Sequence, residues 1–402
     1  MTGPDPRPGH LSPMMTLVFA VVCGVTVANI YYAQSLAGPI ARDLRVPPQW
    51  AGAIVTLTQL GYGAGLFFLV SLGDIIENRR LTLMLTAGLV LSLAGVLTST
   101  SPGVFLLSSF AVGVCSVGSQ VLVPLATWLS PPAMRGRVIG NIMGGLITGI
   151  MLARPLASFL AGHFGWRAVF AVSDGLMIAT FALLWRVLPA RHPHPRMGYG
   201  PLLVSTLRLL VVSRTLRRRM TYQGVLFGVF NMFWTGVPLM LHDRFGLSQQ
   251  AIAAFALAGA GGALSAPFAG RLADRGHTRL VTGMAMCVAM LSWAVSGWAA
   301  SAGAMGVLVI AAITLDAAVQ ANQIVSQRVI CSLSDDARGR LNAAYMTVIF
   351  MGGAAGSTLG AWTYFHGGWG LTSLTGAGLV LVSLLLYMTE LRSSGMEQPE
   401  RI

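Results

Sequence analysis

The sequence predicts an all-α membrane protein in which twelve transmembrane helices form two pseudo-symmetric six-helix bundles. Three observations predict this fold: a low content of charged residues, a regular series of apolar segments and an internal repeat. Only 10% of the 402 residues are charged and 54% are hydrophobic, with a mean hydropathy of +0.70. A soluble domain carries about 25% charged residues. We therefore expect most of the surface of this chain to face lipid.

The apolar segments are long enough to cross a membrane, since a spanning helix needs about 20 apolar residues. We number them spans 1 to 12 in chain order. Spans 1 to 6 cover residues 14–38, 50–72, 81–99, 103–129, 138–161 and 167–188. Spans 7 to 12 cover residues 221–241, 250–270, 280–299, 304–331, 342–364 and 370–389.

The two sets of six spans resemble each other at a nearly constant spacing of 200 to 203 residues. The matched pairs are Asn29-Ile30-Tyr31-Tyr32 with Asn231-Met232-Phe233-Trp234, Asp74 with Asp274, Arg79 with Arg279, Gln120 with Gln323, Arg135-Gly136-Arg137 with Arg338-Gly339-Arg340, and His163-Phe164-Gly165-Trp166 with His366-Gly367-Gly368-Trp369. Ordered matches at one spacing indicate a duplicated six-helix unit. Two such units side by side are typical of transporters, which bind substrate between them near the midplane.

The repeat divides the chain into five regions. These are a cytoplasmic tail 1–13, a first bundle 14–188, a basic linker 189–220, a second bundle 221–390 and a cytoplasmic tail 391–402. Leu202–Val212 in the linker is apolar, but it is too short to span and contains Arg208. We expect it to form an amphipathic helix along the cytoplasmic face.

The net charge of +13 arises from 26 basic residues, all of them arginine. With both termini in the cytoplasm, 21 arginines fall on the cytoplasmic side. The other five are Arg42, Arg45, Arg167 and Arg244 outside and Arg154 within span 5. This asymmetry follows the positive-inside rule and argues against nucleic-acid binding. We expect a monomeric, multi-pass protein of the bacterial inner membrane.

Several classes of site have no counterpart in the sequence. The chain contains no lysine, so it has no G-x-x-x-x-G-K-[ST] nucleotide-binding loop. It has no H-E-x-x-H pattern, and its four cysteines lack paired spacing. We therefore expect no enzymatic activity, no cofactor and no metal site.

Away from the ends of the spans, three charged residues lie at membrane depth: Arg154 in span 5, Asp174 in span 6 and Asp316 in span 10. Each is about ten residues from the outer end of its span, hence roughly 15 Å deep in a core of about 30 Å. An ionisable group at this depth normally faces a cavity or a partner. All three are candidates for proton coupling, with Asp316 the first candidate for carrying the proton and Asp174 the second. Arg154 could bind an anionic group of the substrate, pair with Asp316 as a counter-charge, or pair with Asp174 as a structural staple.

Polar residues also share helical faces within the spans. In span 10, Asp316, Gln320, Gln323 and Gln327 recur on one face. The corresponding candidates in other spans are Asn29 and Tyr32 in span 1, Gln59 and Tyr62 in span 2, Ser116 and Gln120 in span 4, and Asn231 and Trp234 in span 7. Such faces line water or a neighbouring helix, and an interhelical hydrogen bond is an equal alternative for each amide.

The turn between spans 8 and 9 carries a recognisable pattern. Gly270, Leu272 and Asp274, followed by Arg275 and Arg279, resemble the cytoplasmic loop signature of the major facilitator superfamily. The resemblance implies the twelve-helix fold described above, with spans 1, 4, 7 and 10 lining a central cavity.

The first half holds a weaker copy of this loop, with Asp74 and Arg79 in place but Val70 and Glu77 where the family has glycine. A carboxylate at a helix end can pair with arginines and with helix termini. We therefore expect the aspartates and arginines of both loops to act as a latch that stabilises one conformation. The alternative is that these loops only set the topology.

Two further segments resemble the twelve-helix drug:proton antiporter branch of this superfamily. They are Leu36–Leu44 at the end of span 1 and Gly165-Trp166-Arg167 after span 5. Two positions depart from that branch, because Ser109 replaces an arginine and Arg154-Pro155 replaces Gly-Pro.

The resemblance implies a secondary active transporter that exports a small neutral or amphiphilic organic compound in exchange for protons. The alternatives are an uptake symporter or uniporter on the same fold and, from a different class, a membrane sensor or an intramembrane enzyme.

Overall fold

The computed structural model describes residues 12–47, 50–131, 134–193, 197–334 and 337–393, which form helices joined by short turns. The first half of the chain contains α1 (Pro13–Ala28), α2 (Tyr32–Asp43), α3 (Ala51–Phe68), α4 (Asn78–Thr98), α5 (Pro102–Cys115), α6 (Gly118–Leu129), α7 (Arg135–Phe164) and α8 (Trp166–Val187). The linker contains α9 (Tyr199–Val212). The second half contains α10 (Arg214–Phe245), α11 (Gln249–Gly259), α12 (Ala266–Asp274), α13 (Thr278–Ala302), α14 (Met305–Cys331) and α15 (Arg338–Ser393).

Ten helical stretches within the described residues are long and apolar enough to cross a membrane. The α1–α2 pair and the α5–α6 pair each count as one of these, and α15 counts as one although it is kinked. Non-helical backbone at Gly367 and Gly368 divides α15 into 338–366 and 369–393. The predicted span 8 is occupied by α11, a short 3₁₀ helix and α12, none of which is long enough alone. The all-helical membrane fold is confirmed, and the count of twelve spans stays a prediction.

The internal repeat is visible at the two turns that carry its His-x-Gly-Trp sequences. Gly165 (φ 81°) and Gly368 (φ 61°) both adopt positive φ, which glycine tolerates without strain. In both turns the histidine ring nitrogen Nδ1 contacts the carbonyl four residues earlier, at 2.9 Å for His163 and 2.8 Å for His366. Equivalent residues therefore form equivalent structures in the two halves.

Glycines bring the first helix of each half against the fifth. A Cβ atom added at Gly149 of α7 would collide with the backbone of Gly24 in α1, and one at Gly356 of α15 would collide with Gly228 in α10. Such close backbone approach is typical of helix pairs in membranes. Glycine is therefore required at these positions of the two seams.

The linker differs from its predicted bounds at one end. The amphipathic helix expected over Leu202–Val212 is α9, but α10 begins at Arg214, within the segment assigned to the linker. Ser213 explains this early start, because its hydroxyl caps the new helix by accepting a hydrogen bond from the backbone N–H of Leu216 at 3.2 Å.

The two halves contact each other at the end of the bundle opposite α9, which we call the outer end. Gln249 at the start of α11 donates to the carbonyl of Ser35 in α2 at 3.0 Å, and Gln250 donates to the carbonyl of Gly162 in α7 at 3.1 Å. Across the other seam, the hydroxyls of Thr56 and Thr358 lie 2.7 Å apart. The halves are thus joined by hydrogen bonds along both sides of the outer end.

We predict that Gly149→Ala lowers the thermal stability and folded yield of the protein, whereas Gly144→Ala does not. The added methyl group at position 149 meets the α1 backbone, while the space around Gly144 in the same helix is open. Forcing a methyl group into a closed seam costs about 1–3 kcal/mol. Size-exclusion chromatography and thermal unfolding of the purified variants measure the difference. Equal stability of the two variants would contradict the seam.

Candidate functional site

Arg154 lies in the interior of the bundle, although it carries a charge. Its side chain comes from α7 and is 4% exposed. Nε donates to Oε1 of Gln34 in α2 at 2.8 Å, whereas Nη2 is buried and has no hydrogen-bond partner among the described residues. Nη2 therefore keeps its two N–H donors available for a further acceptor.

Three aromatic rings surround this guanidinium group. Its central carbon lies 5.4 Å from the ring centroid of Tyr31, 4.9 Å from that of Phe230 and 4.5 Å from that of Trp234. Aromatic faces attract cations at these distances, more strongly where water is excluded. Tyr31 belongs to the first half and the other two rings belong to α10, so both halves stabilise the Arg154 charge.

Asp316 contacts the same Trp234 indole ring. Its carboxylate accepts a hydrogen bond from Trp234 Nε1 at 2.8 Å, and the residue is 7% exposed. Arg154 forms no ion pair with Asp316 or with Asp174 among the residues that the structure describes. Trp234 thus contacts the cation of the first half with its face and the carboxylate of the second half with its edge.

A chain of amides extends this arrangement. Gln34 donates to Oδ1 of Asn231 at 2.5 Å, and Gln59 of α3 donates to the same oxygen at 3.1 Å. Asn231 donates in turn to the carbonyl of Phe227 within α10 at 2.8 Å. The Oε1 atom of Gln59 is buried without a partner. We call Arg154, Gln34, Asn231, Gln59, Trp234 and Asp316 the central polar chain.

A break in the first span determines which of its residues enter the chain. The helix is interrupted at 29–31, between α1 and α2, which changes the face that the following residues present. Asn29 accepts from Ser173 of α8 at 2.6 Å and donates to carbonyls of its own turn at 3.0 and 3.2 Å. Asn29 is therefore satisfied within the first half, and the central chain uses Gln34 instead.

Gln34, Tyr31 and Phe230 are not among the candidate site residues that the sequence predicts. Gln34 is a further amide in span 1. In a continuous helix it would lie on a different face from Asn29, so the helical spacing does not group the two residues. Tyr31 and Phe230 carry no signal that separates them from ordinary packing residues, because their role depends on where Arg154 points.

Other predicted cavity residues lie near the chain but bond within one half. Gln120 donates to the Tyr62 hydroxyl at 3.3 Å, and Ser116 donates to the carbonyl of Val112 in its own helix at 2.7 Å. Tyr32 is buried at the start of α2. The Tyr62 ring also contacts Phe350 of the second half, with centroids 4.4 Å apart.

The polar face of α14 is divided between two environments. Gln323 accepts from Gln223 of α10 at 3.2 Å, and Asn322 donates to Gln223 at 2.7 Å. Gln327 donates to Asn342 at 2.9 Å. Gln320 is half-buried and bonds to none of the described residues. The lower part of this face is therefore an interhelical network within the second half.

Asp174 lies apart from the central polar chain. It is half-buried on α8, next to the exposed residues Gly175 and Leu176, and its Oδ1 atom has no hydrogen-bond partner among the described residues. Its neighbour Ser173, not Asp174 itself, faces the interior of the first half.

The loop residues are described only in part, because the side chains of Asp74 and Asp274 lie outside the described residues. Arg79 donates to the carbonyl of Trp185 at the end of α8 at 2.6 Å. Arg275 and Arg279 are exposed, and the carbonyl of Arg279 accepts from Tyr387 at 2.6 Å.

The motif residues that resemble the antiporter branch meet at the outer end of the first half. Arg167 forms an ion pair with Asp43, which also accepts from Trp166 Nε1 at 3.1 Å. Arg167 donates further to the carbonyl of Ser99 at 2.9 Å. These residues tie α2 to the α7–α8 turn.

The described residues contain no cluster of three or more His, Cys, Asp or Glu side chains that could hold a metal ion.

Curated relatives resemble this chain over nearly its whole length. Uncharacterized transporter YgaY of Escherichia coli O157:H7 is 41% identical over 386 residues, which are 95% of this chain and 97% of that protein. "Probable transporter SCO4007" of Streptomyces coelicolor is 34% identical and covers 93% of this chain and 87% of its own length. Purine ribonucleoside efflux pump NepI of Salmonella paratyphi B is 26% identical over 198 residues, about half of each chain (48% and 49%).

Solved structures show the same fold at low sequence identity. A POT family transporter in complex with 5-aminolevulinic acid matches with a TM-score of 0.79 at 11% identity, over 96% of this chain and 98% of that one. A bacterial homologue of the human lysosomal transporter Spinster, in an inward-facing and occupied conformation, matches with a TM-score of 0.75 at 14% identity, over 96% and 98%. The family model of the Major Facilitator Superfamily matches residues 15–324. With its all-helical fold and duplicated halves, this chain belongs to the Major Facilitator Superfamily.

Proposed function

We propose that this transporter exports a small neutral or amphiphilic organic compound in exchange for protons, by alternating access. The observation that carries the proposal is the central polar chain. Its members come from both halves, lie deep in the bundle and leave donors and acceptors unpaired. Such a chain is costly unless it binds something or changes its pairing during function.

Asp316 is the proposed proton carrier. Its only partner among the described protein groups is the Trp234 indole, and the Arg154 charge lies on the face of that ring. An ionised Asp316 attracts Arg154 across the interface, whereas a protonated Asp316 does not. Loading and release of a proton would therefore change how strongly the two halves hold each other.

The chemistry of the site favours a particular class of substrate. Amides from Gln34, Gln59 and Asn231 supply donors and acceptors, and Trp234 supplies a flat apolar surface. The free Nη2 of Arg154 suits a carbonyl or similar acceptor. One cation beside one carboxylate does not suit a polyanion. The efflux pump NepI, a partial relative, is named for purine ribonucleosides, which makes these compounds the first to test.

We further propose that the protein lies in a bacterial inner membrane as a monomer with both termini in the cytoplasm. The arginine asymmetry supports this orientation. With this orientation, a compound that the protein exports from the cell should accumulate inside everted vesicles. The direction of transport can therefore be measured in vesicles.

We predict that Asp316→Asn abolishes accumulation driven by a pH gradient but preserves exchange of labelled for unlabelled compound. The amide retains the hydrogen bond from Trp234 but cannot carry a proton. Everted vesicles with an acidic lumen measure accumulation, using a compound chosen by a stabilisation screen that starts with purine ribonucleosides. Asp174→Asn is the matched control and should keep gradient-driven accumulation.

Other outcomes of this assay separate the alternatives. Gradient-driven accumulation that survives in Asp316→Asn would refute its role and direct attention to Asp174. Transport that does not depend on the pH gradient would indicate a uniporter. Accumulation only in right-side-out vesicles would indicate an uptake symporter. Compounds that bind but never move would indicate a sensor.

We also predict that the double variant Asp74→Asn with Asp274→Asn slows transport without lowering the amount of folded protein. Charge-assisted hydrogen bonds contribute about 1.5–3 kcal/mol each. Even one such bond corresponds to a factor of about ten or more, so the double variant should cycle at least about tenfold more slowly. Glu77→Gln, in the same loop as Asp74, is the control and should transport normally. Full turnover in the double variant would rule out the latch.

A further inference from the structure

An apolar groove opens beneath α9, away from the central polar chain. It has a volume of about 380 Å³ and lies between α3, the first part of α15 and the linker helix. Its walls include Leu60, Ala64 and Phe68 of α3, Met351 of α15, and Leu207 and Leu210 of α9. The groove therefore follows the seam between the two halves on the surface of the bundle.

The exposed face of α9 continues this apolar surface. Val204, Leu207 and Val211 recur at helical spacing and are 63%, 49% and 75% exposed. The opposite face, with Leu202 and Leu209, is buried against the protein. A short helix with apolar residues on its outward face is suited to lie in the membrane interface rather than in water.

One positive charge interrupts this outward apolar face. Arg208 is exposed, follows the groove-lining Leu207 and makes no hydrogen bond or ion pair with the residues that the structure describes. An arginine at the membrane surface attracts anionic lipid headgroups. Its flexible stem can lie along apolar side chains while its charge stays at headgroup level.

The depth of the groove agrees with an acyl chain attached to such a headgroup. Phe68 ends α3, and Leu60 lies eight residues further into the span, so the wall rises about 12 Å at 1.5 Å per residue. That is most of one leaflet of a bilayer whose core is about 30 Å thick. The groove thus reaches from the level of α9 almost to the midplane.

We propose that the groove beneath α9 binds an anionic phospholipid, with an acyl chain between α3, α9 and α15 and the phosphate on Arg208. A lipid in this position occupies the seam at the opposite end from the outer hydrogen bonds. It would have to shift when the halves rearrange, so its binding is coupled to the conformation of the transporter.

Native mass spectrometry of the purified full-length protein tests the proposal, with phosphatidylglycerol and phosphatidylcholine of identical acyl chains as probes. We expect the wild type to retain one tightly bound phosphatidylglycerol. Arg208→Gln should weaken its retention about fivefold, the contribution of one basic side chain near an anionic surface. Arg186→Gln, which removes an exposed arginine from α8 outside the groove, should change nothing.

Variants that fill the groove test binding of the lipid acyl chain separately from binding of the lipid headgroup. Ala64→Phe should remove this lipid whichever headgroup it carries, and Leu210→Trp fills the same space from α9 should the first variant fold poorly. Unchanged lipid retention in a folded groove-filling variant would overturn the proposal. Equal losses in Arg186→Gln and Arg208→Gln would overturn it as well, because they would indicate non-specific surface charge. A dimer that the filling variants dissociate would show that a second copy, not a lipid, occupies the groove.

Discussion

The structure depends most on one costly feature, the Arg154 guanidinium group in the interior of an apolar bundle. A charge placed at this depth costs several kcal/mol unless polar or aromatic groups replace water. The protein supplies Gln34 and Tyr31 from the first half and Phe230 and Trp234 from the second. Because neither half stabilises the charge alone, the position of one half relative to the other is linked to the energy of a single side chain.

This link between the Arg154 charge and the relative position of the halves explains other features of the architecture. The outer hydrogen bonds of Gln249 and Gln250 hold the halves together near α7, the helix that carries Arg154. The glycine seams keep α1 against α7 and α10 against α15, so each half can move as a rigid unit. Separation at the outer end would take Phe230 and Trp234 away from Arg154. Water or a substrate would then have to replace them.

Much of the fold and part of the candidate site could be predicted from the sequence, and the reason is physical. Lipid permits few charges, so Arg154 and Asp316 stand out, and the duplicated sequence predicts which helices are equivalent. The partners of Arg154 could not be predicted, because the break at 29–31 changes the face of the first span and brings in Gln34 rather than Asn29. Aromatic side chains such as Phe230 acquire their role only through packing. The pairing of Arg154 with Trp234 rather than directly with a carboxylate is likewise a property of the fold.

The most direct test is whether the Arg154 charge holds the outer end closed. Spin labels at Phe164→Cys and Ser301→Cys, in a background without the four native cysteines, would report the separation of the halves by double electron–electron resonance. With Arg154→Gln, which preserves a hydrogen-bonding side chain but removes the charge, the distances should shift towards a longer, outer-open population. Asp174→Asn should leave them unchanged. An unaltered distance distribution in folded Arg154→Gln protein would contradict the account.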